Sequence, residues 1–349
     1  MARRVRIGLL IGVVSDLGET GDQLAMLEDE GLESVTVSEA YTFDAVSQLG
    51  FLAAKTHTVE LATGILPVHS RTPTLLAMTA AGLDFASQGR FRLGLGASGP
   101  KVVDGFHGVA YDAPLGRISE TIDVCRKVWR REKLVHNGPH WNIPRTEGYP
   151  PLKLIQKPTR PTIPISVAGT GPKTVRMAAS KADAWEPIFF HPGRATDVWG
   201  SDLTAGRADR ATELPPLEIV ARVPVAVGAD TTAEFEKARA QLALYIGGMG
   251  SKKQNFYNNL ARRYGYGPEA ERIQDAYLAG RVSEAVAAVP DEFVRETTLI
   301  GTQDEVTEQL GAFQRAGIGL LTIQPMNEAP ARIAEAVRTL RKASDTLAS

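Results

Sequence analysis

The chain has 349 residues, with 39 Lys+Arg against 40 Asp+Glu, 43% apolar and 7% aromatic residues. A formal charge of −1, both signs interspersed and no charged tail, argues against nucleic acid or an anionic membrane surface as partner. The apolar fraction argues against large-scale disorder, and the lone Cys125 excludes an internal disulfide or a Cys-rich metal site and fits a reducing, cytoplasmic compartment.

Met1–Arg4 and the apolar run that follows have the outline of a secretory leader, but no small-residue cleavage site follows and Ser15-Asp16 ends the run in turn chemistry. A buried first strand over Val5–Val13 is the better reading. No apolar run approaches the roughly 20 residues of a membrane helix.

From there the sequence alternates strand-like and helix-like segments. A helix from about Gly21 to Glu30 ends at Gly31, and Ser34–Ala40 is β-branched and alternating. Phe43–Lys55 has helical spacing, Glu60–Val68 reads as a strand, and Pro73–Ala86 as a helix with proline at its start. Phe91–Ala97, helix Leu115–Arg131, Ile163–Ala168, helix Pro172–Ala182 and Ala184–Phe190 continue the beat. Glu218–Val227 and Leu320–Gln324 close it, with helices near 303–316 and 330–345.

Eight strands separated by helices must pair in parallel and need cover on both faces. That favours one closed (β/α)8 TIM barrel over residues 1–349, with no linker to divide it. Three stretches interrupt the beat and read as insertions, near 136–161, 192–216 and 245–294. Loops after barrel strands build active sites, so these insertions are expected to shape a substrate pocket.

Three turns suggest chemistry. Gly94-Leu-Gly-Ala-Ser-Gly99 matches a dinucleotide fingerprint, but it arrives at the fourth strand, and the acidic residues about 20 positions on, Glu120 and Asp123, lie in a helical run. A tight strand-to-helix turn open to a ligand is the better reading. Ala168-Gly169-Thr170-Gly171-Pro172 joins a strand to a helix and is either a bare turn or an anion site at a helix N-terminus. Thr63-Gly64-Ile65-Leu66-Pro67 is the third, a strand ending in glycine and a proline turn that suits a bulge.

The six histidines show no metal-binding spacing, and no metal site is expected. Glu39 stands out. It shares the face of Val35 and Val37 at the end of the second strand, where a carboxylate is either used or paired with a barrel cation. Trp141, Tyr149, Trp185, Phe190, Trp199, Tyr245 and Met249 suit an aromatic acceptor pocket, with the core the better reading for any one of them.

At these points the chain resembles the bacterial luciferase-like superfamily, and within it the coenzyme F420-dependent reductases and dehydrogenases. The carriers are SVTVSEAYTF (34–43), ELATGILPVHSRTP (60–73), RFRLGLGASGP (90–100), PISVAGTGPKTVRMAASKADAW (164–185) and TLIGTQDEV with AGIGLLTI (298–323). The resemblance implies a luciferase-like barrel, commonly a homodimer, with F420 as cofactor, or FMN in other branches. It further implies a non-proline cis peptide at Gly64–Ile65 in a bulge behind the deazaflavin, and a phosphate turn of Gly169, Thr170, Gly171 and Pro172. Thr63, Ser98 and Gly99 match positions along the ring and ribityl chain, and Ser38 and Glu39 also fall at the cofactor.

Two departures matter. Where several F420 dehydrogenases carry Asp-His, this chain has Glu39-Ala40, and a glutamate of some sugar-phosphate dehydrogenases falls near Pro100. Both argue against alcohol oxidation with that apparatus. They point to an F420H2-dependent reductase of an electron-poor C=C, C=N or C=O bond in a small molecule, with Glu39 as catalytic proton donor or ring contact. The alternatives are an FMN-dependent monooxygenase and a catalytically degenerate flavin-binding protein.

Overall fold

The computed structural model describes residues 4–252 and 255–349. Eight parallel strands close into a barrel: β1 (Arg6–Ile11), β2 (Ser34–Val37), β3 (Glu60–Thr63), β4 (Phe91–Gly96), β5 (Ile165–Ala168), β6 (Ala184–Glu186), β7 (Glu218–Val227) and β8 (Leu320–Pro325). Each pairs with the next, and β8 pairs back with β1, with registers such as Arg6↔Leu320, Gly94↔Ser166 and Glu218↔Ala184. The fold is a (β/α)8 TIM barrel.

Eight helices surround it: α1 (Leu17–Asp29), α2 (Ala45–Lys55), α3 (Pro73–Ala86), α4 (Pro114–Trp129), α5 (Pro172–Lys181), α6 (Ala195–Ala208), α7 (Gln303–Arg315) and α8 (Pro330–Ala348). Their starts are encoded locally. Asp16, Asp44 and Thr72 cap α1, α2 and α3, and Thr302 with Glu305 forms a full capping box on α7.

Strand alternation sends odd-numbered residues outward and even-numbered residues into the lumen. Ile7, Leu9, Val35, Leu93, Val167 and Val223 join the continuous core beneath the helices. Ala184, Val220 and Leu320 form a separate small cluster. Ion pairs form a ring in the lumen: Arg92–Glu60 at 3.1 Å joins adjacent β4 and β3, while Arg6–Glu218 at 2.8 Å and Arg92–Glu218 at 3.5 Å reach strands that are not neighbours. This ring closes the N-terminal end. Above it the even positions are small, with Gly8, Thr36, Ala62, Gly94, Ser166 and Thr322, so the lumen stays narrow-walled and polar towards its C-terminal mouth.

The structure differs from the sequence-based expectation in four places. The 192–216 stretch is not an insertion of loop: it contains α6, an ordinary barrel helix that buries Val198, Trp199 and Leu203. Its glycine is there for packing, since a Cβ on Gly206 would lie 2.3 Å from Arg176 O of α5. The segment Glu60–Val68 breaks after Thr63 and resumes at Leu66–Pro67. Ala184–Phe190 keeps only three strand residues before loop chemistry takes over. Leu299–Gly301 is an additional strand alongside the end of β7.

The 136–161 stretch is irregular apart from a short hairpin pairing His136–Asn137 with Asn142–Ile143. The 245–294 region is helical, beginning with a single π-helical turn, Leu244–Gly248, and continuing through Phe256–Arg263 and Gly267–Leu278. Among the described residues no helix is long and apolar enough to cross a membrane.

Candidate active site

The expected site residues fall at the C-terminal ends of four consecutive strands, β2 to β5, and so form one arc of the barrel mouth. Sequence separation hides this arc and barrel closure makes it.

The bulge after β3 is its centre. Leu61 and Ala62 pair with Phe91 and Arg92 of β4, yet Leu66 and Pro67 pair with Leu95 and Gly96, so the β3 side holds one more residue than the β4 side. The peptide between Gly64 and Ile65 is cis, as the resemblance implied. Thr63 is fully buried, and its hydroxyl accepts from Gly94 N–H at 2.8 Å and donates to Gly94 O at 3.0 Å. Those bonds replace the ladder lost at the bulge. Thr63 therefore shapes the wall, with its hydroxyl spent on Gly94. Gly64 and Ile65 are the partly exposed pair in an otherwise buried run from Leu61 to Val68.

The second turn follows β5. Gly169 O accepts from the Trp185 indole at 2.7 Å, and Thr170 O accepts from the Trp199 indole at 3.0 Å and from Arg263 Nη1 at 2.9 Å. Arg263 also donates to Val198 O. Gly169 N–H donates to Glu186 O at 3.3 Å, which leaves the N–H groups of Thr170 and Gly171 as the donors the turn can offer. Gly171 begins α5, no side chain caps it, and Pro172 has no N–H to satisfy. The backbone here is a cradle for an anion.

Ser98 follows β4 in a left-handed conformation (φ 58°), and its carbonyl accepts from the Tyr111 hydroxyl at 3.4 Å. Gly99 begins the short helix Pro100–Val103. Tyr111 stacks on His69, with ring centroids 5.2 Å apart. Ser38 extends the β1–β2 ladder, its N–H donating to Ile11 O at 3.0 Å.

Glu39 is engaged on both oxygens. Arg71 bonds them at 2.5 and 2.9 Å, and Ala45 N–H at the start of α2 donates at 2.9 Å. The carboxylate side chain is 7% exposed. Of the two readings open from sequence, pairing with a cation is the one realised in the structure.

The opposite arc, β6 to β8, holds residues that sequence reasoning missed. Glu186, Arg222 and Gln324 all occupy even, luminal positions. Arg222 Nε donates to Gln324 Oε1 at 3.3 Å. Glu186 Oε1 is buried and has no hydrogen-bond partner. Burial raises the Glu186 carboxyl above its ordinary value, with Arg92 below it partly opposing. Above Arg222 stand three mutually edge-on rings: Tyr245–Tyr257 at 4.8 Å, Phe189–Tyr245 at 5.1 Å and Phe189–Tyr257 at 6.0 Å. A sequence signal existed, since Arg222 and Gln324 are polar residues inside apolar strands. Trp185, Phe190 and Trp199, by contrast, are core.

A 340 Å³ cleft at the other end of the barrel is lined by Arg6, Glu33, Glu60, Arg90 and Arg160. These groups are paired with one another or with backbone, and the N-terminal face of such a barrel serves stability. Among the described residues no His, Cys, Asp and Glu cluster could hold a metal ion.

Comparison with known proteins agrees with this geometry. The sequence model of luciferase-like monooxygenases matches residues 5–320. A Mycobacterium tuberculosis protein named as a coenzyme F420-dependent oxidoreductase is 37% identical over 308 residues, covering 86% of this chain and 88% of that one. The 5,10-methylenetetrahydromethanopterin reductase of Archaeoglobus fulgidus is 26% identical over 299 residues, with 84% and 85% covered. Among solved structures, the coenzyme F420-dependent tetrahydromethanopterin reductase of Methanopyrus kandleri superposes with a TM-score of 0.80 at 18% identity, over 97% of this chain and 98% of its own, which shows a common fold.

Proposed function

The chain belongs to the luciferase-like monooxygenase family, and on that premise we propose that it is a coenzyme F420-dependent reductase of a small unsaturated acceptor. The observation that carries the choice of cofactor is the match to the F420-named mycobacterial protein over most of both chains. When bound, the reduced deazaflavin supplies a hydride, and the protein's part is position and electrostatics.

The residues present suit such a group. Gly64 and Ile65 present flat backbone at the mouth, and in the turn at Gly169–Pro172 the N–H groups of Thr170 and Gly171 would meet a phosphate. Ser98 and Gly99 flank the space between these two features. Arg71, fixed by Glu39, adds a cation on the β2–β3 side. Tyr111 closes the outer edge through its bond to Ser98 O. The phenols and Arg222 of the far arc are left for the acceptor.

The same reading includes a homodimer in the cytoplasm. The outer stripe of α3 exposes Leu75, Met78 and Phe85, at 46%, 57% and 74%. A helix apolar on all sides belongs in an interior or an interface.

The test is a pair of tryptophan-quenching titrations, because Trp185 and Trp199 bond the carbonyls of the proposed phosphate turn. F420 is expected to bind at about micromolar or tighter, and FMN much more weakly. A preference for FMN would favour the monooxygenase reading. F420 binding with no turnover of reactive acceptors would favour a degenerate binding protein.

A further inference from the structure

Arg222 is a charged group without an assigned task. It stands on β7, directly across the barrel from the β3 bulge, and its side chain is half-buried in the lumen. Gln324 accepts from its Nε, which leaves the N–H groups of the two Nη atoms as the donors a ligand could use. Among the described residues no carboxylate lies within ion-pairing distance of it. Glu186, the nearest acid, is one pleat lower, since Ile188 and not Glu186 is level with Arg222. The charge that most affects Glu186 is that of Arg92, in the ring below.

The phenols of Tyr245 and Tyr257 are close enough to act electrostatically on the guanidinium. Burial lowers Arg222 from its ordinary range, but a guanidinium stays charged at any physiological pH. Burial pushes Tyr257 up to about 12, so it is a neutral phenol able to donate. Tyr245 lies on the π-helical turn Leu244–Gly248, and such single turns recur at functional sites. The result is a partly buried cation, with Glu186 as the nearest opposing charge, beside a cluster of three edge-on aromatic rings. A cation set beside aromatic rings in this way is complementary to a flat π-system carrying an anionic oxygen.

We propose that Arg222 docks the carbonyl oxygen of a planar conjugated acceptor, an α,β-unsaturated or quinone-like carbonyl, with Phe189, Tyr245 and Tyr257 walling its ring. This names the substrate class of the reductase reading and rests on it. A hydride forms the new C–H bond at the β-carbon, the C=C pair shifts toward the carbonyl, and the C=O pair moves onto oxygen, facing Arg222. A solvent proton then bonds the α-carbon and the C=O bond is restored. The hydride comes from the reduced cofactor, which is oxidised by two electrons and yields a proton to solvent, so the acceptor gains one hydride and one proton.

The probe is 4-nitrophenol, whose phenolate reproduces a flat ring with an anionic oxygen and is coloured only when ionised. Titrating it with the protein, below its own pKa and without cofactor, is expected to raise the phenolate absorbance. Arg222→Met should weaken binding at least tenfold and abolish the bias toward phenolate, with Arg222→Lys in between. Melting curves by circular dichroism establish that each variant is folded. If Arg222→Met does not fold, Arg222→Lys decides, and wild-type affinity and phenolate fraction in that variant would overturn the proposal. So would an unaltered Arg222→Met, absence of binding up to about 1 mM, or displacement of the phenolate by oxidised F420, which would assign Arg222 to the cofactor. Phenolate binding through Arg222 in a protein that fails to bind F420 would instead remove the reductase reading and leave the docking site standing.

Discussion

Glu39 is gripped by Arg71 and by the first turn of α2, and this grip separates two roles. As an anchor, its charge holds Arg71 and the loop between β2 and α2. Glu39→Gln would then lower stability first, by about 2 kcal/mol, because a part-buried Arg71 loses its partner. As a proton donor, it would be expected to lower turnover by about 10²–10⁴-fold with affinity for F420 intact. Thermal melts beside stopped-flow oxidation of F420H2 distinguish them, and the geometry leads us to expect the loss of stability. Glu186 is a different carboxyl. Burial holds its folded-state value above the ordinary one, so the native state keeps a proton that the unfolded chain releases. Its contribution is fully present below the ordinary carboxyl range and is lost as pH rises through the folded value. Urea denaturation at pH values above the ordinary carboxyl range should show wild type losing stability relative to Glu186→Gln as pH rises.

At the scale of elements, two glycines at the mouth do opposite jobs. A Cβ on Gly94 would sit 1.8 Å from Thr63 O, so this residue lets the bulge of β3 lie against β4. Gly94→Ala must push backbone apart, and we expect a lower melting temperature together with weaker F420 binding. Gly171 has only Thr174 Oγ1 nearby, at 4.0 Å, and its backbone is extended. The fold should accept Gly171→Val with little change in melting temperature. A valine there would stand where an anion approaches α5, weakening F420 at least tenfold, or about 1.4 kcal/mol. An unchanged dissociation constant in that variant would move the phosphate elsewhere. The elements themselves were legible where local signals agree. Proline at the first position marked the start of α3 to the residue. α6 was illegible for the same kind of reason, because Gly200, Gly206 and the Pro192-Gly193 pair read as loop. Only the approach of α5 shows that Gly206 is a contact.

Across the whole molecule, the stripe of Leu75, Met78 and Phe85 on α3 is what the barrel leaves uncovered. If a second copy covers it, Met78→Asp with Phe85→Asp should convert a particle of twice the chain mass to one of single mass in sedimentation velocity. A wild-type monomer would leave the stripe to another partner. The strand–helix beat, the parallel pairing and the glycine turns after β3, β4 and β5 followed from the sequence alone, because periodicity and turn chemistry are local properties that neighbouring residues dictate. The cofactor candidates came from the resemblance carried by five motifs in order, and closure of the barrel gathers them into one arc. What only the tertiary structure decided is the far arc and the partners of each charge. Arg71 finds Glu39 across 32 positions and Arg222 finds Gln324 across 102. Pairings of that kind are set by the closure of the barrel, which turns alternate strand positions inward and leaves a cation in the lumen to be neutralised by a side chain or left for a ligand.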